Sequence, residues 1–460
     1  MPSLLEQAAS FLTASRAGAL DAATVAAAQE ALIDYVGVAL AGSREPVARR
    51  IRAWAAARSV SRAASLVGAG ERLDPENAAL CNAVSGHALD FDDTSWTTIG
   101  HPTTVVAPAA LAVAESCGAS GAEALGAYLA GVEVAHRLAE RVMPEASRNG
   151  WHTTGALYTV GAAAAACALL RPAPETIVHA LALALSRAGG IRANFGTQAK
   201  PYHAGMAAQA GLEAASLAMA GITASAQAFE GTDGFLDCFA GPAARQRALD
   251  EPLVFGRPFD LVGRGIAFKR YPCCSGAHPA LDLVLDLARE HAIVAEQVAE
   301  IRVGTSLLAE RELVCHDPRT PAEARFSMEF ALAAALVQGG VTLDSFTAEI
   351  LSAPAIRRLM GRVRMALCPE LAELGFIGTA PVRLEIVLAD GRVIAGARDL
   401  AVGNPERPFG EADRRAKFVA CAGRVMAPAV VEDAYGLLGG FAALPDLGAL
   451  SAVLSISAES

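Results

Sequence analysis

From Ala22 to Gly221 the chain is written almost entirely in apolar, alanine-rich runs of helical length, each closed by Gly, Pro or a polar turn. That texture admits little besides packed helices, because small side chains let helix axes approach closely and the punctuation sits where caps are needed. Asp21 precedes a helix over about 22–40, and Gly42 follows it. Pro46 opens another through Trp54. Asp74-Pro75 reads as an N-cap and first helical position for a helix running toward His87. Pro102 starts a further helix just after His101. Ser120-Gly121-Ala122-Glu123 has the pattern of a capping box ahead of a helix through Arg141. Helical runs follow near 156–170, 174–188 and 204–220, the last closed by Gly221. No repeat at solenoid periods is present, which argues against a scaffold of stacked repeats.

The texture changes after about Gly263. Ile301-Arg302-Val303 is a short alternating stretch. Val382 to Leu388 alternates, Asp390-Gly391 turns the chain, and Arg392-Val393-Ile394 returns, the strongest hairpin signal in the sequence. From about Glu411 the pattern is helical again. The expected fold is mostly α with an α+β part. A large all-helical domain over 1–263 is completed by 403–460, and a smaller α+β domain over 264–402 is inserted in it. A cleft between two domains is a favoured ligand site.

The net charge is −10 over 460 residues with a sequence pI near 5.5, and no basic stripe is visible. Nucleic acid is therefore not an expected partner. A small anion remains open, since a local cationic pocket can exist on an acidic protein. The N-terminal Met1-Pro2-Ser3-Leu4-Leu5-Glu6 has neither a basic start nor a long apolar core and is not expected to be a signal peptide. The apolar run from about Gly155 to Leu170 is shorter than the roughly 18 residues of a spanning helix and is expected to be buried in protein. No membrane is expected as a partner. Nine scattered cysteines, with no CxxC pair, suggest free thiols in a reducing cytoplasm.

Chemistry-bearing residues collect at element boundaries. Gly86 to Thr94, followed by Gly100-His101-Pro102, gathers three carboxylates, a hydroxyl and two imidazoles where one helix ends and the next begins. A solvated acidic loop is the competing reading. Lysine is rare: only Lys200, Lys269 and Lys417 occur in an Arg-rich chain. An ammonium can lose its proton or serve as a compact point charge, which a guanidinium cannot. Lys200 lies in Gly196–Gly205, just before a helix whose first amides could hold a carboxylate. Lys269 lies in Lys269–His278. His152 precedes the apolar run at 156–170. Asp92-Asp93 alone also suits a magnesium-dependent diphosphate enzyme, but the next acidic partner is missing at Trp96. Cys273-Cys274 does not supply an iron–sulfur ligand set. A helical binding protein accounts for the helices but not for the placement of the lysines.

Taken together, Gly86-His87-Ala88-Leu89-Asp90-Phe91-Asp92-Asp93-Thr94, His101-Pro102, Gly196-Thr197…Lys200…His203-Ala204-Gly205, Lys269…Tyr271-Pro272…His278 and Phe326-Ser327-Met328 resemble the MmgE/PrpD family. The resemblance implies a homodimer with a helical domain and a smaller lid-like domain, an active site between them, and no metal or organic cofactor. It implies catalytic roles for Asp90, His101, His152, Lys200 and Lys269. It places Thr94, His203, Tyr271, His278 and position 330 at the substrate. The implied reactions are dehydration of 2-methylcitrate, decarboxylation of cis-aconitate and epimerisation of iminodisuccinate, all on small polycarboxylates. Where dehydratase-like and decarboxylase-like members carry S-x-x-Tyr, this chain has Ser327-Met328-Glu329-Phe330, on a helical stretch from about Pro321 to Leu336. Phe330 cannot donate a hydrogen bond, which predicts weak or no decarboxylation of cis-aconitate.

Those reactions build negative charge beside a carboxylate. Lysines and histidines can neutralise it, a His or a deprotonated Lys can act as base, and Asp90 can fix the orientation of an imidazole. The expected activity is a cofactor-independent, dehydratase-like lyase, with an epimerase and a decarboxylase as the alternatives.

Overall fold

The computed structural model describes residues 2–15, 20–244 and 252–456. The chain divides into two compact units. One comprises Met1–Arg192, Pro201–Ile266 and Gly410–Ser460; the other comprises Ala193–Lys200 and Ala267–Phe409. The first is helical and the second is α+β.

In the helical unit the capping chemistry sets the boundaries. The carboxylate of Asp21 accepts the Thr24 N–H at 2.8 Å ahead of helix α1 (Ala22–Gly42). Helix α2 (Pro46–Ala56) has its Pro in the first turn, where a missing N–H costs nothing. Asp74 caps α3 (Pro75–His87) through the Asn77 N–H at 2.9 Å. Helix α4 (Thr103–Cys117) starts directly after Pro102 and stops at Gly118, whose φ of 66° is the left-handed conformation a glycine adopts most easily. Ser120 and Glu123 form a complete capping box on α5 (Gly121–Val142). Helix α6 (Thr153–Leu170) follows, then α7 (Pro174–Arg187) and α8 (Ala199–Met219).

Small residues do the packing. A Cβ on Gly131 of α5 would stand 2.5 Å from the Gly161 carbonyl oxygen of α6, so backbone meets backbone there. Helix α6 is buried from Thr153 to Cys167. It has 18 residues, not fewer, because Thr153 and Thr154 supply its first turn. Helices α1 and α6 are both long and apolar enough to cross a membrane, but 67% and 83% of their apolar windows are buried inside the protein, so the apolarity is used for core packing. The C-terminal segment completes this unit. Lys417, on the helix Glu411–Ala422, pairs with Asp34 of α1 at 2.6 Å. The unit is not purely helical: β1 (Ala64–Ser65) and β2 (Arg72–Leu73) form a minimal antiparallel pair. Two residues per strand leave no alternation for a sequence pattern to show.

The α+β unit is built on four strands in the order β4-β3-β5-β6. These are β3 (Val298–Thr305), β4 (Val363–Leu367), β5 (Val382–Leu388) and β6 (Val393–Arg398). Strands β5 and β6 form the hairpin at Asp390-Gly391, with Gly391 at φ 90°. Strand β3 lies antiparallel to β5 and parallel to β4. Every second residue of β5 is buried, which fixes its register. The segment Ala193–Lys200 groups with this unit because Phe195 packs on Phe326, their ring centroids 5.2 Å apart. The stretch at 321–336 is not one helix. A single turn, Pro321–Ala324, is followed by a break, and Ser327 caps a new helix, Met328–Gln338, through the Phe330 N–H at 3.1 Å.

Candidate active site

Helix α3 ends at His87, and the chain must reverse to reach α4. It does so through Asp90, which stands at φ 50°. Aspartate tolerates this left-handed conformation better than most residues. The reversal is held tightly, since Gly86 leaves room for Thr104 and Tyr35 where a Cβ would sit 2.5 and 2.6 Å from their side chains. The turn brings Asp92 back to the helix end, so that the His87 Nδ1 proton is donated to Asp92 Oδ2 at 2.8 Å. His101 Nδ1 lies 3.3 Å from the same oxygen and 2.7 Å from the carbonyl oxygen of Asp93. A carbonyl only accepts, so Nδ1 of His101 carries the proton. In the neutral ring Nε2 therefore holds the lone pair. Asp90 Oδ1 is 4.0 Å from that Nε2.

The imidazoles continue beyond this pair. The ring of His87 is edge-on to His101 at 4.5 Å between centroids and stacks on His152 at 5.6 Å. His152, the N-cap residue of α6, has its Nδ1 3.0 Å from Nδ1 of His203. All four histidines are buried. They are four of the nine in the chain, so chance scatter over the helices does not describe them.

The three neighbouring carboxylates behave differently. For Asp92, burial works to raise the pKa, but the His101 and His87 imidazoles outweigh it and hold the group well below the usual carboxylate range. Its Oδ1 accepts no hydrogen bond among the described residues. For Asp93, burial comes first, and with the Asp34 and Asp92 charges it pushes the group well above that range, against the bonds from Thr103. Thr103 donates both its hydroxyl and its N–H to Asp93, and its oxygen lies 2.7 Å from the Tyr128 hydroxyl. Asp92 is thus the fixed negative charge, and Asp93 is held toward its neutral form. Asp90 is buried beside them. The acidic stretch is a buried cluster, not a solvated loop.

Lys417 anchors the loop from behind. Its ammonium donates to the Phe91 carbonyl at 2.8 Å and lies 4.2 Å from the centre of the Phe91 ring, besides pairing with Asp34. It grips the backbone between Asp90 and Asp92.

Ligand atoms of His87, Asp92 and His101 all lie within 4.8 Å of one another, a spacing that could hold a metal ion. The Nδ1 atoms of the two histidines are engaged with Asp92 and the Asp93 carbonyl, so a metal would bind them through Nε2 or displace those hydrogen bonds.

Asp90, His101, His152, His203 and the buried Thr94 belong to the helical unit. Lys200, Lys269, Tyr271, His278 and Phe330 belong to the α+β unit. Lys200 is buried between the rings of Phe195 and Phe326, at 5.2 and 5.3 Å from their centres. It lies inside helix α8, not before it. The Ala199 N–H at that helix start is taken by the Thr197 hydroxyl, which withdraws one of the amides expected to hold a carboxylate. Lys269 is buried. The Tyr271 hydroxyl donates to Asp282 at 2.8 Å, and its ring meets His278 edge-on at 5.2 Å. Nε2 of His278 donates to the Cys273 carbonyl at 3.1 Å. Phe330 is wholly buried against Phe346 in the core of this unit. Packing accounts for that side chain without a substrate.

His87, Asp92 and Asp93 lie inside the stretch that the sequence marks, but local pattern offers only a metal motif for Asp92-Asp93 and nothing for His87. Lys417 was set aside, although its rarity as one of three lysines was the available signal.

Two family models match the chain: MmgE/PrpD N-terminal domain over residues 6–247 and MmgE/PrpD C-terminal domain over residues 271–434. Among curated proteins the chain is similar to a cis-aconitate decarboxylase of Homo sapiens, 28% identical over 99% of this chain and 95% of that protein. It is similar to one of Mus musculus, 29% identical over 92% and 87% of the two chains. It is also similar to one of Aspergillus terreus, 25% identical over 93% and 91%.

Proposed function

Because the chain belongs to the MmgE/PrpD family and is an enzyme of the lyase class, we propose that it acts on a small di- or tricarboxylate by moving a proton at a carbon beside a carboxylate. The observation that carries the reading is the bond from His101 Nδ1 to the Asp93 carbonyl. It leaves Nε2 as the group that takes or gives the proton. In a dehydration, Nε2 takes the C–H proton, the electron pair passes into an enolate-like system, and the leaving hydroxyl departs as water on receiving a proton. In a decarboxylation Nε2 first takes a proton from solvent; the C–C bond then breaks, its electron pair stays on the substrate carbon as CO2 leaves, and the imidazolium gives that proton to the carbanion. Either way His101 becomes charged in one half of the cycle. The Asp90 and Asp92 carboxylates are placed to favour that charge. The His152–His203 pair is the second candidate proton carrier. We assign Lys200 and Lys269, by motif, to neutralising substrate carboxylates.

The names of the relatives favour decarboxylation. Against that, the motif position that carries a phenol in S-x-x-Tyr is Phe330 here, a ring packed in the core of the α+β unit, so by motif alone a substrate other than cis-aconitate is favoured. Dehydration of a 2-methylcitrate-like substrate is therefore the second reading. One experiment separates them: the protein is incubated in D2O with cis-aconitate, 2-methylcitrate and four-carbon dicarboxylates, with and without EDTA. NMR then follows deuterium uptake, water loss and CO2 loss. Turnover insensitive to EDTA is expected. No exchange or turnover on any polycarboxylate would overturn the reading, and loss with EDTA restored by a divalent cation would make the His87–Asp92–His101 cluster a metal site.

A further inference from the structure

Behind the site lies a second buried chain of polar groups. Asp260 accepts from His136 Nδ1 at 2.7 Å. His136 Nε2 is 2.8 Å from the Tyr158 hydroxyl, and that hydroxyl is 2.6 Å from Oγ1 of Thr98. All four side chains are at most 2% exposed. The direction of the chain follows from its end. Burial works against the Asp260 charge, but the His136 imidazole, the Thr97 hydroxyl and Arg264 hold the group down at about 2. The carboxylate can only accept, so His136 Nδ1 donates. With the ring neutral, Nε2 accepts the Tyr158 proton, and the Tyr158 oxygen accepts from Thr98. The other acceptor within reach of Thr98, the Ser95 carbonyl, is 3.5 Å away and loses to a partner at 2.6 Å. Asp260 holds the neighbouring Thr97 hydroxyl as well, at 2.7 Å.

These groups come from three elements: α5 (His136), α6 (Tyr158) and the short helix Asp260–Gly263. All of them end on one loop. That loop is closed by a Ser95–Gly100 bridge and carries Ile99 at φ 49°. A β-branched residue in the left-handed region is strained and persists only where its surroundings over-determine it. Here the surroundings do: Thr153 donates to the Ile99 carbonyl at 2.5 Å, and Thr154 Oγ1 accepts the His101 N–H at 3.1 Å. The strained turn delivers His101 directly.

We propose that Tyr158 and His136, aligned by Asp260, are positioning residues that clamp the Thr97–Ile99 turn and so fix the imidazole of His101 for proton transfer. This rests on the proton-transfer role proposed for His101. The network touches no reacting atom. Its contribution is to keep the His101 Nδ1 proton on the Asp93 carbonyl and Nε2 in line with substrate.

The test uses the full chain labelled with 15N-histidine. Thr98→Val removes only the loop-side hydroxyl, Tyr158→Phe breaks the chain in the middle, and His136→Gln keeps an acceptor for Tyr158. The His101 Nδ1–H signal, assigned with His101→Gln, is expected to be protected in the unmodified protein. In Thr98→Val and Tyr158→Phe it should exchange at least tenfold faster, with partial recovery of protection in His136→Gln. On whichever polycarboxylate the unmodified protein turns over, kcat should fall about tenfold in Thr98→Val with KM within twofold. An unchanged His101 signal in folded Thr98→Val would overturn the proposal, as would a loss confined to KM. If no polycarboxylate is turned over, the proposed function fails. The histidine signal still decides whether the clamp holds His101. Should Tyr158→Phe not fold, Thr98→Val and His136→Gln carry the test.

Discussion

The Nδ1 atoms of His152 and His203 stand 3.0 Å apart, so one ring donates and the other accepts. While that bond lasts, the two rings hold at most three protons on four nitrogens. Each ring therefore sets the tautomer of the other. His203→Leu is expected to free His152 to adopt either tautomer and to lower kcat about tenfold or more, within the range usual for a positioned acid or base. His152→Leu should have an effect of similar size. The double variant should lose little beyond either single one, because residues acting as a unit are not additive. Strictly multiplicative losses in kcat would show that the pair does not act together.

Asp92 and Asp93 are adjacent yet shifted in opposite directions, and their effects on stability with pH should differ in sign. Asp92 is depressed in the fold, so its contribution is present above the ordinary carboxylate pKa and is lost as pH falls through its lower folded value. Asp93 is raised, so the folded protein retains a proton that the unfolded chain has released. Its stability contribution therefore declines as pH rises from about 4 toward its folded pKa, by about 1.4 kcal/mol per pH unit at most. Asp93→Asn, which mimics the neutral acid, should flatten the fall in Tm between pH 5 and 8. Asp92→Asn should lower Tm throughout that range. Thermal unfolding across the range distinguishes them, and a flattened profile for Asp92→Asn alone would reverse the assignment.

Lys417→Met removes a buried ammonium and the ion pair that it makes with Asp34. The expected cost is roughly 3–5 kcal/mol, the range seen when one partner of a buried pair is deleted. Adding Asp34→Leu should restore a large part of that stability. It should not restore turnover, because the Phe91 carbonyl still lacks its donor. Urea unfolding and kcat on the same two variants check both halves. Full recovery of kcat in the double variant would mean that the grip on the Phe91 carbonyl is irrelevant to catalysis.

Much of this was legible in residues with local jobs. Asp21, Asp74-Pro75 and Ser120…Glu123 mark their helices because capping is settled within four residues. Asp390-Gly391 marks its hairpin for the same reason. The misses are non-local. Strand β4 has exposed and half-buried positions after Val363 and draws its pairing from β3, some sixty residues earlier. Helix α8 starts at Ala199 and not near 204, because the first turn tolerates the proline at 201. The pairing of His87 with Asp92 spans a helix end and a left-handed Asp90, and no periodic pattern reports it. The Asp260–His136–Tyr158–Thr98 chain joins residues up to 162 positions apart (98 to 260), each unremarkable alone.

Lys200→Arg is expected to impair turnover while keeping the positive charge. The ammonium sits between two phenyl rings in a buried place cut for a narrow head. A guanidinium is wider, planar and effectively always protonated. Stopped assays on the preferred polycarboxylate should show kcat reduced by ten- to a hundredfold. A near-normal kcat would remove any proton-transfer role for Lys200 and leave it a carboxylate-binding charge.

Phe330→Tyr places a hydroxyl at a wholly buried position whose ring packs against Phe346. Ring volume is nearly kept, so the fold should survive. A buried hydroxyl that finds no partner costs on the order of 1–3 kcal/mol, which should lower Tm by several degrees. The polar groups beside it in sequence are already engaged: the Ser327 hydroxyl accepts the Phe330 N–H and donates to Glu329, and Glu329 in turn pairs with His316. Two outcomes can be told apart by measuring Tm and product together. A loss of Tm with an unchanged product profile is expected if position 330 only fills the core. A Tm equal to that of the unmodified protein, accompanied by new or faster decarboxylation of cis-aconitate, would show that the hydroxyl meets a substrate and that Phe330 sets the specificity of this chain.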